Sequence, residues 1–405
     1  MSKIFEGIRV VELAQYVFVP AAGTLMADHG AEVIKIEVPC TGDPYRTLRI
    51  GDGRETEGAN LSMEQNNRGK KSIAIDLKQP KGREALLKLV ATADVFLTSL
   101  RPKALKGLRL DANDVIAHNP RIIYARGNGL GFKGEEADKA GYDASAFWAR
   151  GGFADLLTAP NAAIPTRSRA ALGDHASATA LLAAISAALF RRERTGKGMI
   201  AETFLLQNAA WILSSDLTIA RATASYDPHA GFNIGHRHPV MRAYKTSDRR
   251  WIQLMLLAPD KHWPELCSLL DLPAVATEPR FDTSAARMEN GAALCEILVE
   301  RIGSRTWEEW KPRFIAWNAP WELIRNIREV GDDPQLKAAG AVFPMKLRNG
   351  LSVDVVAGPL GFDGECAPTT PVPSPDLGEH TDAVLAELGY APAEIANLRA
   401  AQIFG

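Results

Sequence analysis

The stretch RVVELAQYVFVPAAGTLMADHGAEVIKIE (residues 9–37) decides the fold. Its opening RVVELA predicts a buried strand, because nearly every position is apolar. PAAGTLMADHG predicts a short helix that begins at Pro20 and ends at Gly30. AEVIKIE predicts a second buried strand. A strand, a helix and a second strand in this order form the unit from which parallel sheets are built.

The same alternation continues along the first half of the chain. KSIAID (71–76), DVFLTSL (94–100) and PRIIYARG (120–127) predict three more apolar strands, and PKGREALLKLVATA (80–93) has helical spacing. Strands without polar alternation are covered on both faces. The fold class is therefore predicted to be α/β, built on a parallel sheet that is covered on both faces.

The amino-acid composition of the chain changes after about residue 225. YDPHAGFNIGHRHP (226–239) is rich in Gly, Pro and His, and AYKTSDRRWIQLML (243–256) predicts a hairpin followed by Trp-containing helices. We therefore predict a large domain over 1–224, a smaller α+β domain over 225–330 and a C-terminal segment over 331–405.

Composition excludes several classes of partner. The 405 residues contain 47 Lys and Arg against 48 Asp and Glu, so a net charge of −1 gives no reason to expect nucleic acid or an anionic membrane. The longest apolar run, ALLAAISAALF (180–190), is too short to span a bilayer, and the N-terminus has no signal-peptide pattern. Four scattered cysteines predict neither a disulfide framework nor a zinc ribbon, and favour the cytoplasm.

Two short motifs resemble ligand-binding motifs but lack the spacing or the residues that such sites need. GNGLGF (127–132) has G-x-G-x-G spacing and polar residues after it, which disfavours a dinucleotide site; its glycines allow close approach of a ligand or simply turn the chain. GHRHP (235–239) offers two histidines without a nearby third ligand, so no metal site is predicted.

Basic residues cluster at the predicted strand edges, namely Arg68, Lys70, Lys71, Arg101 and Lys103. Beside helix N-termini they suit phosphate binding, and they equally suit a solvated charged rim. The pattern alone leaves both interpretations open.

Asp174 precedes an Ala-rich helical stretch in RAALGDHASATALLAAIS (169–186). Asp is among the best N-cap residues. At the same position the helix dipole would keep a nucleophilic carboxylate ionised, and Gly173 would leave room for a substrate. Spacing does not choose between cap and nucleophile.

Several segments together resemble class III CoA-transferases of the CaiB/BaiF type. They are residues 9–37, GDPYR, NRGKKSIAIDLK, TSLRPKAL, ALGDHASATALLAAIS, EPRFDTSAAR, DDPQLKAAG and LGEHTDAVLAELGY. The resemblance covers nearly the whole chain in the same order. It implies ring-shaped subunits interlocked in a homodimer, each with a Rossmann-like large domain and a small domain, and with the segment 331–405 returning to the large domain.

The resemblance also implies the chemistry. CoA moves from an acyl-CoA donor to a free carboxylic acid, and Asp174 stands where the family keeps its nucleophile, which forms an anhydride and then an aspartyl-CoA thioester. No permanently bound cofactor is implied, since CoA is part of the substrate. The residues assigned to CoA binding are Val17, Arg46, Arg68, Lys70, Lys71, Arg101, Lys139, Tyr142 and Asp143.

Departures from the family pattern bear on the acid. Val17 stands where formyl-CoA-type transferases have a glutamine, and Gln15 lies two residues earlier, which disfavours formate and oxalate. Gln15, Phe147, Trp148 and Arg150 are assigned to the acid: an aromatic pair with an arginine fits a bulky apolar carboxylate, although Phe147 and Trp148 fit core packing equally well. ARGG (149–152) and GFNIGH (231–236) are alternative oxyanion loops.

Two other functions compete with the transferase. Racemases of the same fold need a histidine in a G-H-D motif, and this chain has Gly141-Tyr142-Asp143, with His175 as a possible substitute base. A CoA-binding partner subunit without catalytic activity would not need Asp174.

Overall fold

The computed structural model describes residues 3–48, 58–230, 238–366 and 371–405. Its centre is a six-stranded, wholly parallel sheet with strand order β3-β2-β1-β4-β5-β6. The strands are β1 (Arg9–Leu13), β2 (Glu32–Glu37), β3 (Lys71–Ala74), β4 (Val95–Thr98), β5 (Ile123–Asn128) and β6 (Met199–Phe204). The predicted α/β class and parallel sheet are confirmed.

The first strand–helix–strand unit matches the prediction except at the start of its helix. Helix α1 spans Phe18–Asp28 and begins two residues before Pro20. Pro20 is tolerated there because the first helical turn has no partner for its missing N–H. From β1 the chain runs outward through β2 to β3 and then returns to the other side of β1 as β4. The strand order thus reverses between β1 and β4.

Helices cover both faces of this sheet. The remaining helices of the first half are α2 (Leu61–Asn67), α3 (Pro80–Ala91), α4 (Pro102–Leu108), α5 (Ala112–His118), α6 (Phe153–Leu156) and α7 (Leu172–Thr195), with a 3-10 turn at Pro44–Arg46 and a π-helical turn at Asp143–Ala149. One core packs α1 and α7 against the sheet, and the other packs α3 and α5.

Helix α7 is long and apolar enough to cross a membrane by length and composition alone. A core helix passes the same test. Leu181, Leu182 and Ile185 of α7 are buried in the core beside α1. Its apolar face is thus used for packing on the sheet.

Two compact units divide the chain. The first comprises Met1–Leu157, Pro165–Leu217 and Asp333–Gly405, and the second Thr158–Ile164 and Thr218–Asp332. The C-terminal segment belongs to the sheet unit: the Thr381 hydroxyl accepts the Ala74 amide at 3.1 Å, and Phe404 bridges Ile75.

The later elements complete the two units. They are α8 (Leu205–Ile212), α9 (Ser214–Ala222), β7 (Ala243–Lys245), β8 (Trp251–Leu254), α10 (Pro259–Leu269), α11 (Pro273–Ala276), α12 (Ser284–Glu289), α13 (Gly291–Gly303), α14 (Trp307–Ala316), β9 (Trp321–Leu323), α15 (Ile327–Gly331), α16 (Pro334–Ala338), β10 (Val342–Lys346), β11 (Ser352–Val356), α17 (Thr381–Glu387) and α18 (Pro392–Ala400). Strands β7, β8 and β9 form an antiparallel sheet in the second unit.

Candidate active site

A cavity of about 300 Å³ opens at the carboxyl ends of β1, β4 and β5. This is the edge where ligands bind in open parallel sheets, at the point where strand order reverses. The cavity is lined by Gln15, Tyr16, Val17, Phe18, Ser99, Leu100, Arg101, Ala104, Gly127, Asn128, Gly129, Lys139, Ala140, Gly141, Tyr142, Asp174 and Leu205. The fold thus brings three crossover loops and the start of α7 together.

Asp174 reaches this cavity from the first turn of α7, but it is not the N-cap. The helix begins at Leu172, and its N-cap is Ala171, in the left-handed region at φ 61°. The cap is supplied from elsewhere: the Asp143 carboxylate accepts the Gly173 amide at 3.0 Å. The capping interpretation of Asp174 is therefore wrong, and its carboxylate is not used to cap the helix.

Gly173 is required by packing and not by a substrate. A Cβ at this position would lie 2.2 Å from Cγ of Phe147 and 2.5 Å from Oδ1 of Asp143. Both neighbours lie in the π-helical turn beneath α7. The expectation that Gly173 leaves room for a substrate is corrected accordingly: its missing side chain lets the Asp143 cap approach.

The electrostatics of Asp174 also differ from expectation. Burial, together with the neighbouring Asp143 carboxylate, raises the pKa of Asp174 to about 7. Burial raises the pKa of Asp143 as well, against the opposing effect of the hydrogen bond from the Gly173 amide. The helix dipole does not hold Asp174 fully ionised, so its charge changes near neutral pH.

Aromatic side chains form a wall of the cavity. The rings of Tyr16 and Tyr142 meet edge to face with centroids 5.3 Å apart. Phe18 and Leu205 contribute apolar surface to the same lining. Tyr16 escaped the sequence prediction, although its place directly after an apolar strand was a signal that could have found it. This wall suits an apolar group beside Asp174.

Six of the residues assigned from sequence are brought together here. Asp174, Gln15, Val17, Arg101, Lys139 and Tyr142 all line the cavity. The guanidinium of Arg101 also donates to the Asp138 carbonyl at 2.8 Å, which holds it at the cavity. Lys139 also pairs with the exposed carboxylate of Glu136. Two cations at the cavity can still attract an anionic ligand.

Two basic residues assigned to CoA binding are buried in ion pairs. Lys70 is fully buried, and its Nζ lies 2.8 Å from Oε2 of Glu12. Arg68 is 2% exposed and donates to both oxygens of Asp28. Neither residue lines the Asp174 cavity, and Arg68 lines a separate cavity of about 530 Å³. Because both charges are already paired in the interior, the structure gives no support to their assignment as CoA ligands, which stays a prediction.

Three other assigned residues lie outside the Asp174 cavity. Lys71 begins β3 and so lies at the amino edge of the sheet, where it pairs with Glu32. Arg46 makes an ion pair with Glu37 and donates to the Pro375 carbonyl. Asp143 is buried beneath α7 as its cap. None of these three lines the cavity.

The residues assigned to the acid are also corrected. Phe147 is buried and stacks on Phe153, and Trp148 stacks on the same ring while its indole N–H donates to the Thr166 carbonyl at 3.0 Å. Arg150 is exposed and pairs with Glu136. The core-packing interpretation of the aromatic pair holds, because both rings face inward from the π-helical turn.

A second cavity of about 410 Å³ adjoins the first and shares Gln15 and Leu100 with it. It lies along the carboxyl ends of β1, β2 and β3, and its lining includes Ile36–Val38 and Asp76–Lys78. These segments escaped the sequence prediction, since they read only as strand ends. Together the two cavities extend a groove across the carboxyl edge of the sheet.

His175 faces a different space from Asp174. Its Nε2 lies 2.9 Å from Oδ1 of Asn66, and its ring lines a separate cavity of about 530 Å³ with Thr179 and Pro359. Burial lowers the pKa of His175, with Arg68 adding to the effect. His175 is thus anchored away from the cavity that holds Asp174.

Two sequence motifs fall partly or wholly outside the described residues. GFNIGH (231–236) and the first three residues of GHRHP (235–237) lie there. ARGG (149–152) lies outside the cavity lining, whereas Gly127 and Gly129 of GNGLGF are part of it. Within the described parts of the chain, there is no group of three or more His, Cys, Asp or Glu side chains arranged to hold a metal.

The fold and site define a doubly wound α/β protein whose cavity at the reversal of strand order is lined by Asp174, Arg101 and Lys139. The model of CoA-transferase family III matches residues 5–381, and the chain belongs to this family. It is 30% identical over 402 residues to (R)-2-hydroxy-4-methylpentanoate CoA-transferase of Clostridioides difficile, covering 99% of each chain.

Further relatives agree with this assignment. The chain is 30% identical to cinnamoyl-CoA:phenyllactate CoA-transferase of Clostridium sporogenes, covering 98% of this chain and 96% of the relative. A solved CaiB/BaiF family protein from Brucella suis superposes with a TM-score of 0.81 at 29% identity, over 96% of this chain and 100% of the other.

Proposed function

We propose that this protein transfers CoA from an acyl-CoA thioester to a free carboxylic acid, with Asp174 as the nucleophile. The observation that carries the proposal is the position of the Asp174 carboxylate. It is freed from capping by Asp143 and lines one cavity with Arg101 and Lys139. Family membership supports the class of reaction.

The reaction proceeds by exchange between carboxylates and a thiolate. A carboxylate oxygen of Asp174 attacks the thioester carbonyl, the C–S bond breaks, and a mixed anhydride and CoA thiolate form. The thiolate then attacks the Asp174 carbonyl carbon, which releases the donor acid and leaves an aspartyl-CoA thioester. The acceptor carboxylate attacks that thioester, which forms a second anhydride and releases the CoA thiolate again. The thiolate then attacks the acyl carbon of the acceptor in this anhydride, which gives the new acyl-CoA and frees the Asp174 carboxylate.

The groove gives CoA a place. We propose that the nucleotide part occupies the 410 Å³ cavity at the ends of β1, β2 and β3, and that the pantetheine arm passes Gln15 and Leu100 toward Asp174. Arg101 and Lys139 line the adjoining Asp174 cavity, so they would attract the diphosphate where the two cavities meet. The apolar side chains of Ile36 and Val38 in that cavity would pack against the adenine.

The acyl group is proposed to be bulky and apolar. Support comes from Tyr16, Phe18, Tyr142 and Leu205 around Asp174, and not from Phe147 and Trp148. Two relatives are named for acids of this kind, the branched (R)-2-hydroxy-4-methylpentanoate and the aromatic phenyllactate.

The described lining of the Asp174 cavity does not support the racemase alternative. No histidine is present among the described residues that line the Asp174 cavity, and His175 lines the separate one. A proton removed from one side of an α-carbon needs a donor on the opposite side.

We also propose a homodimer of interlocked ring-shaped subunits, domain boundaries at 224/225 and 330/331, and a cytoplasmic location. Sedimentation at several protein concentrations tests the homodimer.

The test traps the acylated enzyme. The protein is incubated with an aryl-lactyl or branched acyl-CoA and hydroxylamine, and the peptide containing Asp174 is examined for a hydroxamate by mass spectrometry. Asp174→Ala should abolish both the adduct and the transfer to a panel of acids. Asp114→Ala is the matched control, because Asp114 occupies the same third position of α5. An unmodified peptide together with unchanged turnover in Asp174→Ala would refute the nucleophile.

A further inference from the structure

Tyr16 holds an uncommon backbone conformation at the cavity wall. Its φ is 66°, in the left-handed region that bulky residues avoid. Its ring contacts Tyr142, and both rings line the cavity that contains Asp174. A strained residue persists only where its surroundings hold it, and such residues cluster at functional sites.

The group that holds Tyr16 is Asp43. Oδ1 of Asp43 accepts the Tyr16 amide at 3.1 Å and the Tyr45 amide at 2.9 Å. Asp43 is 1% exposed, so both bonds are shielded from water. A buried carboxylate that accepts backbone amides fixes the loop more firmly than a neutral acceptor does.

The charge of Asp43 is held by a wholly buried network. Lys35 Nζ lies 2.9 Å from Oδ2 of Asp43 and 3.1 Å from Oε1 of Glu12, which in turn pairs with Lys70. Two cations and two carboxylates balance. This balance matters, because removing one member of such a network leaves a buried charge without its partner.

The same network grips the loop between β1 and α1 at two more points. Lys35 donates to the Ala14 carbonyl at 2.8 Å, and Lys70 donates to the Pro20 carbonyl at 2.8 Å. With the Tyr16 amide, the backbone is therefore held before, at and after the strained residue. Lys70 also donates to the carbonyl of Asn66, whose side chain meets His175 beside Asp174.

We propose that Asp43 is a positioning residue, which holds Tyr16 in its left-handed conformation so that the Tyr16–Tyr142 pair packs beside the group transferred at Asp174. The inference rests on the proposed function and deepens it. Asp43 acts through Tyr16 and does not touch the reacting atoms. This gives the aspartate of the GDPYR segment, and the buried lysines, a role that phosphate binding does not supply.

The test is a double-mutant cycle between positions 43 and 16. Asp43→Ala should lower kcat by on the order of 10²-fold, the effect of displacing a reacting group by about 1 Å. Tyr16→Gly removes both the strain and the ring, because glycine adopts positive φ freely. In the Tyr16→Gly background, Asp43→Ala should therefore lower kcat by less than about threefold, since residues that act as a unit are not additive.

Two further variants separate positioning from stability. Asp43→Asn keeps an oxygen for the Tyr16 amide and should recover most of the turnover lost in Asp43→Ala. Asp94→Asn weakens another ion pair of the sheet unit, Arg192–Asp94 at 2.9 Å, and should lower the thermal midpoint without changing kcat. If Asp43→Ala does not fold, the cycle is measured with Asp43→Ser.

The outcomes are distinct. Transfer by the unmodified protein with additive effects of the two substitutions on kcat would overturn the positioning role and leave the transferase standing. Transfer with non-additive effects and recovery in Asp43→Asn supports it. Absence of transfer in the unmodified protein, across the whole acid panel, would overturn the proposed function and the inference together.

Discussion

Under the proposed mechanism, the raised pKa of Asp174 should make the rate of its acylation depend on pH near neutrality. Only the carboxylate attacks a thioester, so kcat/KM should follow the ionised fraction of Asp174 in the free enzyme. With a pKa of about 7, about a tenth of the carboxyl is ionised at pH 6 and about nine tenths at pH 8. The ratio of kcat/KM at pH 6 to that at pH 8 is therefore expected to be about 0.1.

The structure also supplies the perturbation that shifts this limb. After burial, the Asp143 carboxylate is the second cause of the raised pKa. Asp143→Asn removes that charge and keeps an oxygen to accept the Gly173 amide, which lies 3.0 Å from Oδ1. The pKa of Asp174 should fall, and the ratio of kcat/KM at pH 6 to that at pH 8 should rise toward 1.

The assay follows thioester exchange at subsaturating acyl-CoA from pH 5.5 to 8.5 at constant ionic strength. The CoA phosphates also titrate near pH 6, but they are the same for both enzymes, so the difference between the two profiles isolates Asp174. A flat profile in the unmodified enzyme, or an acid limb that stays in place in Asp143→Asn, would refute the reasoning.

Three further predictions concern stability and binding. Asp174→Asn should raise the thermal midpoint at pH 8 by about 2 °C, equivalent to about 1 kcal/mol, and leave it unchanged at pH 4. The reason is that folding raises the pKa of this carboxyl to about 7, so the carboxyl destabilises the fold once the pH exceeds its pKa in the unfolded chain, and does so fully above pH 7. Equal shifts of the midpoint at both pH values in calorimetry would contradict this. Lys139→Ala should raise KM for the CoA thioester about tenfold through loss of a charge-assisted contact, whereas Lys71→Ala at the opposite sheet edge should not, and steady-state kinetics that rank them otherwise would reject the groove. Phe147→Ala should lower the free energy of unfolding by about 3–5 kcal/mol and leave the ranking of acceptor acids intact; a changed ranking in the residual activity would restore its role at the acid.

The predicted strand–helix–strand unit and the parallel sheet depended on local pattern. The apolar runs of residues 9–37 fix β1, α1 and β2, because periodicity and burial are properties of neighbouring residues. The family signatures likewise placed Asp174 correctly at the start of α7. Arg101 and Lys139 followed from the same resemblance, and both line the cavity.

The cap of α7 could not be read from its own sequence. Asp174 has the residue type and place of an N-cap, yet the helix starts two residues earlier and Asp143, 30 residues before Gly173, supplies the cap. Local preference for a cap is worth about 1 kcal/mol, which tertiary contacts readily exceed. Whether the Asp174 carboxylate caps α7 thus depends on whether a distant side chain, here Asp143, already accepts the free amides of its first turn.

By itself, then, the sequence determined the α/β sheet, the family and the place of Asp174. The tertiary structure decided which charges are free. Lys70 and Lys71 are adjacent and chemically alike, yet one is sealed against Glu12 and the other pairs with Glu32 at the sheet's amino edge. The reason is that successive residues of an extended chain point to opposite sides, so the partner of each is set by the strands packed around it.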